Sequence, residues 1–211
     1  MKHLLVVFLA LSMTVPAVAQ DIAEPKSGTK FAAKDGDTSL LGVGLRTRTI
    51  AKVKIYAIGL YVADSAIAGP LKGKAGTPEL YRQLVTGDFK KKVVMKFLRN
   101  VSGEQIREAF GDSLKSSGVK SDAWIAYFSD IHSGQEFAIG WTPGAGLETK
   151  VAGADKPAIN DKALASAIFG IWLGDKPIQD DLKKRSRRPW RRTAQIKKGC
   201  RRSCSAYPKL F

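Results

Sequence analysis

The sequence predicts an α+β domain in which an antiparallel sheet is covered by helices on one side. Two observations support this fold class. Strand patterns occur next to one another along the chain, and helix patterns occur in clusters. The chain has no internal repeat, and its length suits one domain of ordinary size with a substantial core.

The first predicted elements are two adjacent strands. One begins near Leu40 and ends around Arg48, and the next spans about Val53–Val62. Lysines at 52 and 54 alternate with apolar residues, which is typical of a strand with one wet and one dry face. A Gly/Pro/Lys loop at 69–76 leads to a short helix over Glu79–Val85, with Pro78 at its start and Thr77 as its cap.

A third strand, Lys91–Leu98, is followed by the clearest helix of the chain. Ser102 is its predicted cap, and it runs to about Ser117, before Gly118. Apolar residues four apart form one stripe on this helix: Ile106, Phe110 and Leu114. Asp122–Ile131 is also predicted to be helical.

The last predicted elements are a hairpin and a helix. Gln135–Trp141 and Leu147–Val151 are predicted to pair across the turn at 143–146. Asn160 is the predicted cap of a helix over Lys162–Leu173, which ends at Gly174.

The first 19 residues have the pattern of a secretory signal peptide. Lys2 precedes an apolar segment at 4–11, and Ala17-Val18-Ala19 is a small-residue cleavage site. No later segment reaches the roughly 20 apolar residues that a spanning helix requires. We therefore expect an exported protein, periplasmic or secreted, without an integral membrane segment after cleavage. An uncleaved membrane anchor is the alternative.

The net charge of +16 is unevenly distributed along the chain. Residues 20–184 carry 24 Lys and Arg against 19 Asp and Glu, whereas residues 185–211 carry ten Lys and Arg and no acidic residue. The domain itself gives no electrostatic reason to expect nucleic acid as a partner. We predict a flexible lead-in at 20–34, the domain at 35–184, and a disordered basic tail at 185–211 that can contact anionic surfaces.

The composition of the tail changes abruptly, which suggests the out-of-frame product of a frameshift. Both cysteines, Cys200 and Cys204, lie in this tail and are interpreted as incidental, because two cysteines without a nearby histidine supply at most half of a zinc site. No metal or cofactor is expected.

Most catalytic motifs are absent from the sequence: it has no phosphate-binding Gly-rich loop, GxSxG, CxxC or HExxH. Gly42 and Gly44 lack the third glycine of a dinucleotide site. His132, the one histidine after signal removal, precedes Ser133-Gly134 and is predicted to be a surface turn residue, with a triad as the alternative. Five aromatic residues fit either a core or a ligand pocket: Trp124, Tyr127, Phe128, Trp141 and Trp172.

Arg46 interrupts a run that is otherwise typical of buried sheet. Its guanidinium stays charged, so inside an apolar sheet it needs an anion. Tyr56 lies ten residues further on with the same parity and is expected to face the same way. An arginine and a tyrosine hydroxyl on one wall of an apolar pocket are suited to a carboxylate. The alternative is a strand-edge arginine that reaches water or pairs with a structural acid.

Several separated segments together resemble the chalcone isomerase superfamily: 42–46 (GVGLR), 56–61 (YAIGLY), 85–89 (VTGDF) and 101–105 (VSGEQ). The segment 171–177 (IWLGDKP) is similar to the C-terminal signature of its bacterial chalcone isomerase-like branch. The resemblance covers roughly Phe31–Lys184. It implies an open-faced β-sandwich, in which a large antiparallel sheet is backed by helices and the ligand cleft lies between them.

The resemblance places five polar site positions of the enzyme on this chain. Arg46 retains the catalytic arginine. Tyr56 stands in place of a threonine, Ile106 in place of the tyrosine and Ser113 in place of an asparagine, while a late threonine or serine falls near Lys156. Since a hydrocarbon cannot replace the tyrosine hydroxyl, the resemblance argues against chalcone isomerase activity.

The same superfamily includes non-catalytic members that bind fatty acids, and Arg46 and Tyr56 resemble their arginine–tyrosine pair. A charge-assisted bond would hold the carboxylate, and burial of the tail would contribute about 0.8 kcal/mol per CH₂. We therefore expect a non-catalytic binding protein for a fatty acid or similar small carboxylate, with Arg46, Tyr56, Ile106 and Ser113 at the site. The alternatives are an isomerase- or lyase-type enzyme with an unknown substrate and a ligand-free partner-binding module.

Overall fold

The computed structural model describes residues 21–48, 52–175 and 177–178. The strands within these ranges are β1 (Ile22–Ala23), β2 (Lys30–Phe31), β3 (Lys34–Asp35), β4 (Thr38–Arg48), β5 (Val53–Ala63), β6 (Lys91–Phe97), β7 (Glu136–Thr142), β8 (Gly146–Val151) and β9 (Ala154–Ile159). The helices are α1 (Asp64–Ala68), α2 (Pro78–Thr86), α3 (Gly103–Ser116), α4 (Asp122–Ile125) and α5 (Lys162–Leu173). The predicted signal peptide and the basic tail, with Cys200 and Cys204, lie outside the described residues.

Seven strands, β3 to β9, form one antiparallel sheet in chain order. Two register shifts interrupt the long β4–β5 pair. Leu41 is the extra residue on β4, and Ile55 is the extra residue on β5. The second shift follows Arg46 directly, so it changes the pairing of the residues beyond Arg46 and leaves Arg46 itself in register.

The helices cover one face of this sheet, as predicted. The connection from β5 to β6 contains α1 and α2, the connection from β6 to β7 contains α3 and α4, and α5 follows β9. Helices α2 and α3 both pack against α5. In the described residues, four side chains accept backbone N–H bonds at helix starts: Thr77 at α2, Ser102 at α3, Ser121 at α4 and Asp161 at α5. The predicted cap Asn160 is thus wrong by one residue.

The main core lies between the sheet and the helices. Alternate residues of the strands face it, among them Leu60, Val93 and Ile139, all fully buried. Helices α3 and α5 contribute Leu114 and Ile168. No helix in the described part of the chain is long and apolar enough to span a membrane.

The opposite face of the sheet has a smaller cluster of Phe31, Val43 and Ala57. The paired strands β1 and β2 bring Phe31 onto this face, where it is 1% exposed. Glu24 is buried in the turn between β1 and β2 and accepts a bond from the backbone N–H of Ser27 at 2.7 Å. The prediction of a flexible lead-in at 20–34 is therefore corrected: within it, residues 21–34 contain a small sheet, because Phe31 gains burial against β4 and β5.

Two other elements differ from prediction. The helix expected over Asp122–Ile131 ends at Ile125, because Ile131 exchanges two 2.9 Å backbone hydrogen bonds with Val101. The edge strand β9 was not predicted, since its residues are mostly exposed and include Pro157.

Strand β6 begins with a buried lysine. Lys91 is 2% exposed, and its Nζ donates to three carbonyls around the C-terminal end of α2, those of Leu84, Val85 and Gly87, at 2.7, 3.0 and 3.0 Å. Burial lowers the pKa of Lys91 to about 7. The lysine stabilises this helix end by donating to carbonyl groups for which the helix backbone has no N–H donor.

Candidate ligand-binding site

A cavity of about 590 Å³ lies between the sheet and helices α3 and α5. Its volume is in the range of small-molecule sites, roughly 300–1,000 Å³. All four residues predicted to bind a ligand line it: Arg46, Tyr56, Ile106 and Ser113. They come from β4, β5 and α3, so the tertiary structure brings them together.

Arg46 and Tyr56 are direct cross-strand partners in the β4–β5 pair. Opposed residues of an antiparallel pair point to the same face, with Cβ atoms roughly 4.5–5.5 Å apart. Their predicted common orientation is thus confirmed, but its cause is the register of the hairpin and not the parity of one continuous strand.

Arg46 lies at the edge of the cavity and is half-buried. Its Nη1 donates to the carbonyl oxygen of Ile178 at 3.0 Å. No carboxylate among the described residues forms an ion pair with it. A guanidinium has five N–H donors, so four remain for a ligand or water. Arg46 was expected to lie inside an apolar sheet. This expectation is corrected: Arg46 is on the sheet, but its side chain lines the cavity.

Tyr56 forms the next part of the site. Its hydroxyl oxygen accepts a hydrogen bond from Trp172 Nε1 at 3.1 Å, and its ring centroid lies 5.4 Å from that of Phe97. Burial outweighs the Trp172 bond and the charge of Arg46 and raises the pKa of Tyr56. The phenol is therefore protonated at neutral pH and can donate.

The inner wall of the cavity is apolar. Ile106 is 5% exposed, and Met95 and Phe97 from β6 also line the cavity. Phe110 on α3 connects this wall to the core, since its ring stacks on Phe128 at 4.8 Å. A hydrocarbon chain can therefore replace water along this wall.

The helix side of the opening is more polar. Ser113 is half-buried, and its hydroxyl donates to the carbonyl of Ala109 at 2.8 Å, so only its lone pairs are open to a ligand. The remaining charged lining residues divide between the two walls: Glu108 and Asp112 on α3, and Arg48 and Arg99 on the sheet side. Lys156, the fifth predicted position, lies on β9 and does not line the cavity.

Several lining residues were not predicted as site residues. Phe97 lies opposite Tyr56, on β6. Buried and partly exposed residues alternate along β6, so that Met95 and Phe97 share the buried face, and this alternation was the available signal for both residues. Trp172 was named only as one of five aromatic residues. Its role depends on the approach of α5 to β5, which no sequence spacing indicates.

The other aromatic residues belong mainly to the core. Trp124 and Phe128 are buried, Trp141 is buried with its indole N–H on Asp88, and Tyr127 is half-buried. His132 is exposed in the turn before β7, as predicted.

Residues 19–185 match the sequence model of the chalcone isomerase-like family. Chalcone isomerase-like protein 1 of Humulus lupulus is 32% identical over 175 residues, covering 72% of this chain and 82% of that relative. Fatty-acid-binding protein 2 of Arabidopsis thaliana is 27% identical over 194 residues, covering 76% of this chain and 48% of that protein, so the chain spans about half of its length.

The fold is also similar to a crystal structure of an Arabidopsis thaliana fatty-acid binding protein. The TM-score is 0.66 at 21% sequence identity, covering 78% of this chain and 94% of the other. This likeness confirms the large antiparallel sheet backed by helices. The family model and the relatives together show that the chain belongs to the chalcone isomerase-like family.

Proposed function

We propose that this chain is an exported, non-catalytic binding protein for a fatty acid or a similar small amphipathic carboxylate. One observation carries the proposal: Arg46 and Tyr56 face each other across β4 and β5 at a cavity whose inner wall is apolar. The fatty-acid-binding relatives support this ligand class.

Two regions of the cavity suit two different parts of a ligand, a carboxylate head and a hydrocarbon tail. Arg46 and Tyr56 offer a charged and a neutral donor to the two oxygens of a carboxylate, and charge-assisted bonds are about twice as strong as neutral ones. The tail would lie along Ile106, Met95 and Phe97, where each buried CH₂ contributes about 0.8 kcal/mol. Most of the affinity would come from the tail, and the head would set orientation.

Three observations support a binding role over a catalytic one. Ile106 puts a hydrocarbon side chain where the related enzyme has a tyrosine, and the Ser113 hydroxyl is bonded to its own helix. The described residues that line the cavity include neither histidine nor cysteine. An oriented carboxylate would therefore meet donors but neither a histidine base nor a cysteine nucleophile among these residues.

The N-terminal pattern supports export. N-terminal sequencing of the protein from the periplasmic or extracellular fraction of its host should begin at Gln20. A cytoplasmic protein that retains Met1 would contradict this part of the proposal.

Native mass spectrometry of the protein purified from its host tests the ligand. An adduct with the mass of a fatty acid is expected, as is a rise in melting temperature on addition of laurate. Arg46→Ala should weaken both signals, whereas Arg82→Ala, which changes an exposed arginine on α2 outside the cavity lining, should keep them at the wild-type level. No adduct and no rise with laurate would reject the carrier.

An isomerase-type enzyme is the second candidate, favoured by the proximity of a protonated phenol and a guanidinium in one cavity. Turnover of an enone-containing acid by the wild type, lost in Arg46→Ala, would establish it. A partner-binding module without a ligand would show neither turnover nor a response to laurate.

A further inference from the structure

We propose that Trp172 is a positioning residue that makes Tyr56 a donor toward the cavity, so that the head site selects an ionised carboxylate over an alcohol of equal chain length. This inference rests on the proposed function of the same cavity.

The hydrogen bond between the two side chains has only one direction. An indole N–H can donate but cannot accept, so at 3.1 Å the Tyr56 oxygen is the acceptor. The Tyr56 hydroxyl hydrogen must then point elsewhere. Of the residues that the structure describes, none is recorded as accepting it, and Tyr56 lines the cavity.

Arg46, directly opposite, can also only donate. The head of the cavity therefore presents two donors from the sheet wall. The carbonyl of Ile178, which also lines the cavity, already accepts from Arg46, and the acidic side chains Glu108 and Asp112 belong to α3 on the other wall.

A ligand group that only accepts satisfies this arrangement. Both oxygens of an ionised carboxylate accept, so neither oxygen is left without a donor. An alcohol brings a hydrogen of its own for which the Arg46–Tyr56 pair has no acceptor, and such a loss reduces affinity by roughly tenfold or more. The direction in which the Tyr56 hydroxyl points thus favours binding of the carboxylate over the alcohol.

Trp172 is held in place by the protein core. It is 3% exposed on α5, and its ring lies 6.2 Å from Phe110. The indole N–H is therefore positioned before any ligand arrives, which is the requirement for a preorganised site.

Trp172→Phe tests the inference, because it keeps an aromatic ring and removes the donor. The Tyr56 oxygen could then accept from an alcohol. Isothermal titration calorimetry would measure laurate directly and 1-dodecanol by displacement of laurate. We expect the ratio of the two affinities to fall by roughly threefold to tenfold.

Trp124→Phe is the matched control. Trp124 is also buried and donates its indole N–H to a hydroxyl, that of Thr149 at 2.9 Å, but it does not line the cavity. The Trp124→Phe variant should leave the ratio of the laurate and 1-dodecanol affinities at the wild-type value. In a Tyr56→Phe background, Trp172→Phe should no longer change the ratio, because its acceptor is gone.

The outcomes separate the two proposals. A wild type that binds no laurate overturns the proposed function. A wild type that binds laurate, with an unchanged affinity ratio in Trp172→Phe, overturns only the role of Trp172.

Should Trp172→Phe fail to fold, the indole N–H resonance of Trp172 in the wild type carries the test. Laurate should shift it further downfield than 1-dodecanol, because a Tyr56 hydroxyl that donates to an anion becomes a stronger acceptor. Equal shifts with both ligands would overturn the inference.

Discussion

Trp172 and Tyr56 are 116 residues apart in the chain, and the indole N–H of Trp172 donates to the Tyr56 hydroxyl at 3.1 Å. Tyr56 in turn lies directly opposite Arg46. The bond joins the last described helix to the second long strand at the cavity. The head of the site is therefore assembled from two distant parts of the sequence, the β4–β5 pair and α5.

The affinity for laurate should depend more on Arg46 than on Tyr56. Arg46→Ala removes charge-assisted donors, so we expect a loss of roughly tenfold to a hundredfold, and Tyr56→Phe should lose less. Isothermal titration calorimetry measures both. Tyr61→Phe is the matched control on the same strand, since its hydroxyl donates to the Ala32 carbonyl outside the cavity lining. Equal affinities in all three variants would place the ligand elsewhere.

The affinity for laurate should be nearly constant from neutral pH to about pH 9.5. Burial raises the pKa of Tyr56 above its ordinary value of 10.0, so the phenol keeps the proton that it donates. The ligand's carboxyl, with a pKa of about 4, is ionised throughout this range. Titrations at several pH values check this expectation. A tenfold loss at pH 9.5 that is absent in Tyr56→Phe would show that the phenol ionises.

The free energy of unfolding should rise as the pH increases from 7 toward 10.5. Burial lowers the pKa of Lys91 from 10.5 to about 7, so in this window the unfolded chain binds more protons than the folded protein. Stability then increases with pH, by on the order of 1 kcal/mol per pH unit. Urea denaturation at pH 7.5 and 9.5 measures the change.

Lys91→Met should abolish this rise. Lys90→Met is the control, because Lys90 is exposed and pairs with Asp37, and this variant should retain the rise. A wild type whose stability is flat over this range would mean that the three carbonyls around Lys91 keep the ammonium charged.

Gly59→Ala should lower the melting temperature. A Cβ at this position of β5 would lie 2.7 Å from Phe31 Cδ1, so Phe31 would have to move out of the small cluster on the outer face. Overpacking of this kind costs about 1–3 kcal/mol. Gly170→Ala in α5 is the control, since its Cβ would meet nothing within 4 Å and alanine favours the helix. Differential scanning calorimetry should show opposite shifts for the two variants, and equal shifts would contradict the close contact.

Local patterns in the sequence determined most of the framework. The alternation of β6, the four-residue stripe of Ile106, Phe110 and Leu114, and the Gly-rich turn between β7 and β8 each predicted an element that the structure contains. These elements form because periodic apolar residues must be buried on one face, a requirement that acts within a few residues. The permanent charge of Arg46 and the matching strand parity of Tyr56 also indicated these two residues from the sequence.

Only the tertiary structure decided which groups meet. The hairpin register puts Arg46 opposite Tyr56, and a shift one residue earlier would have turned one of them to the other face. The approach of α5 to β5 puts the Trp172 donor on Tyr56, and the burial of Lys91 depends on the end of α2. These contacts join residues far apart in the chain, and packing of helices on the sheet sets them. The sequence alone thus singled out the arginine and the tyrosine, and the fold brought them together at one cavity.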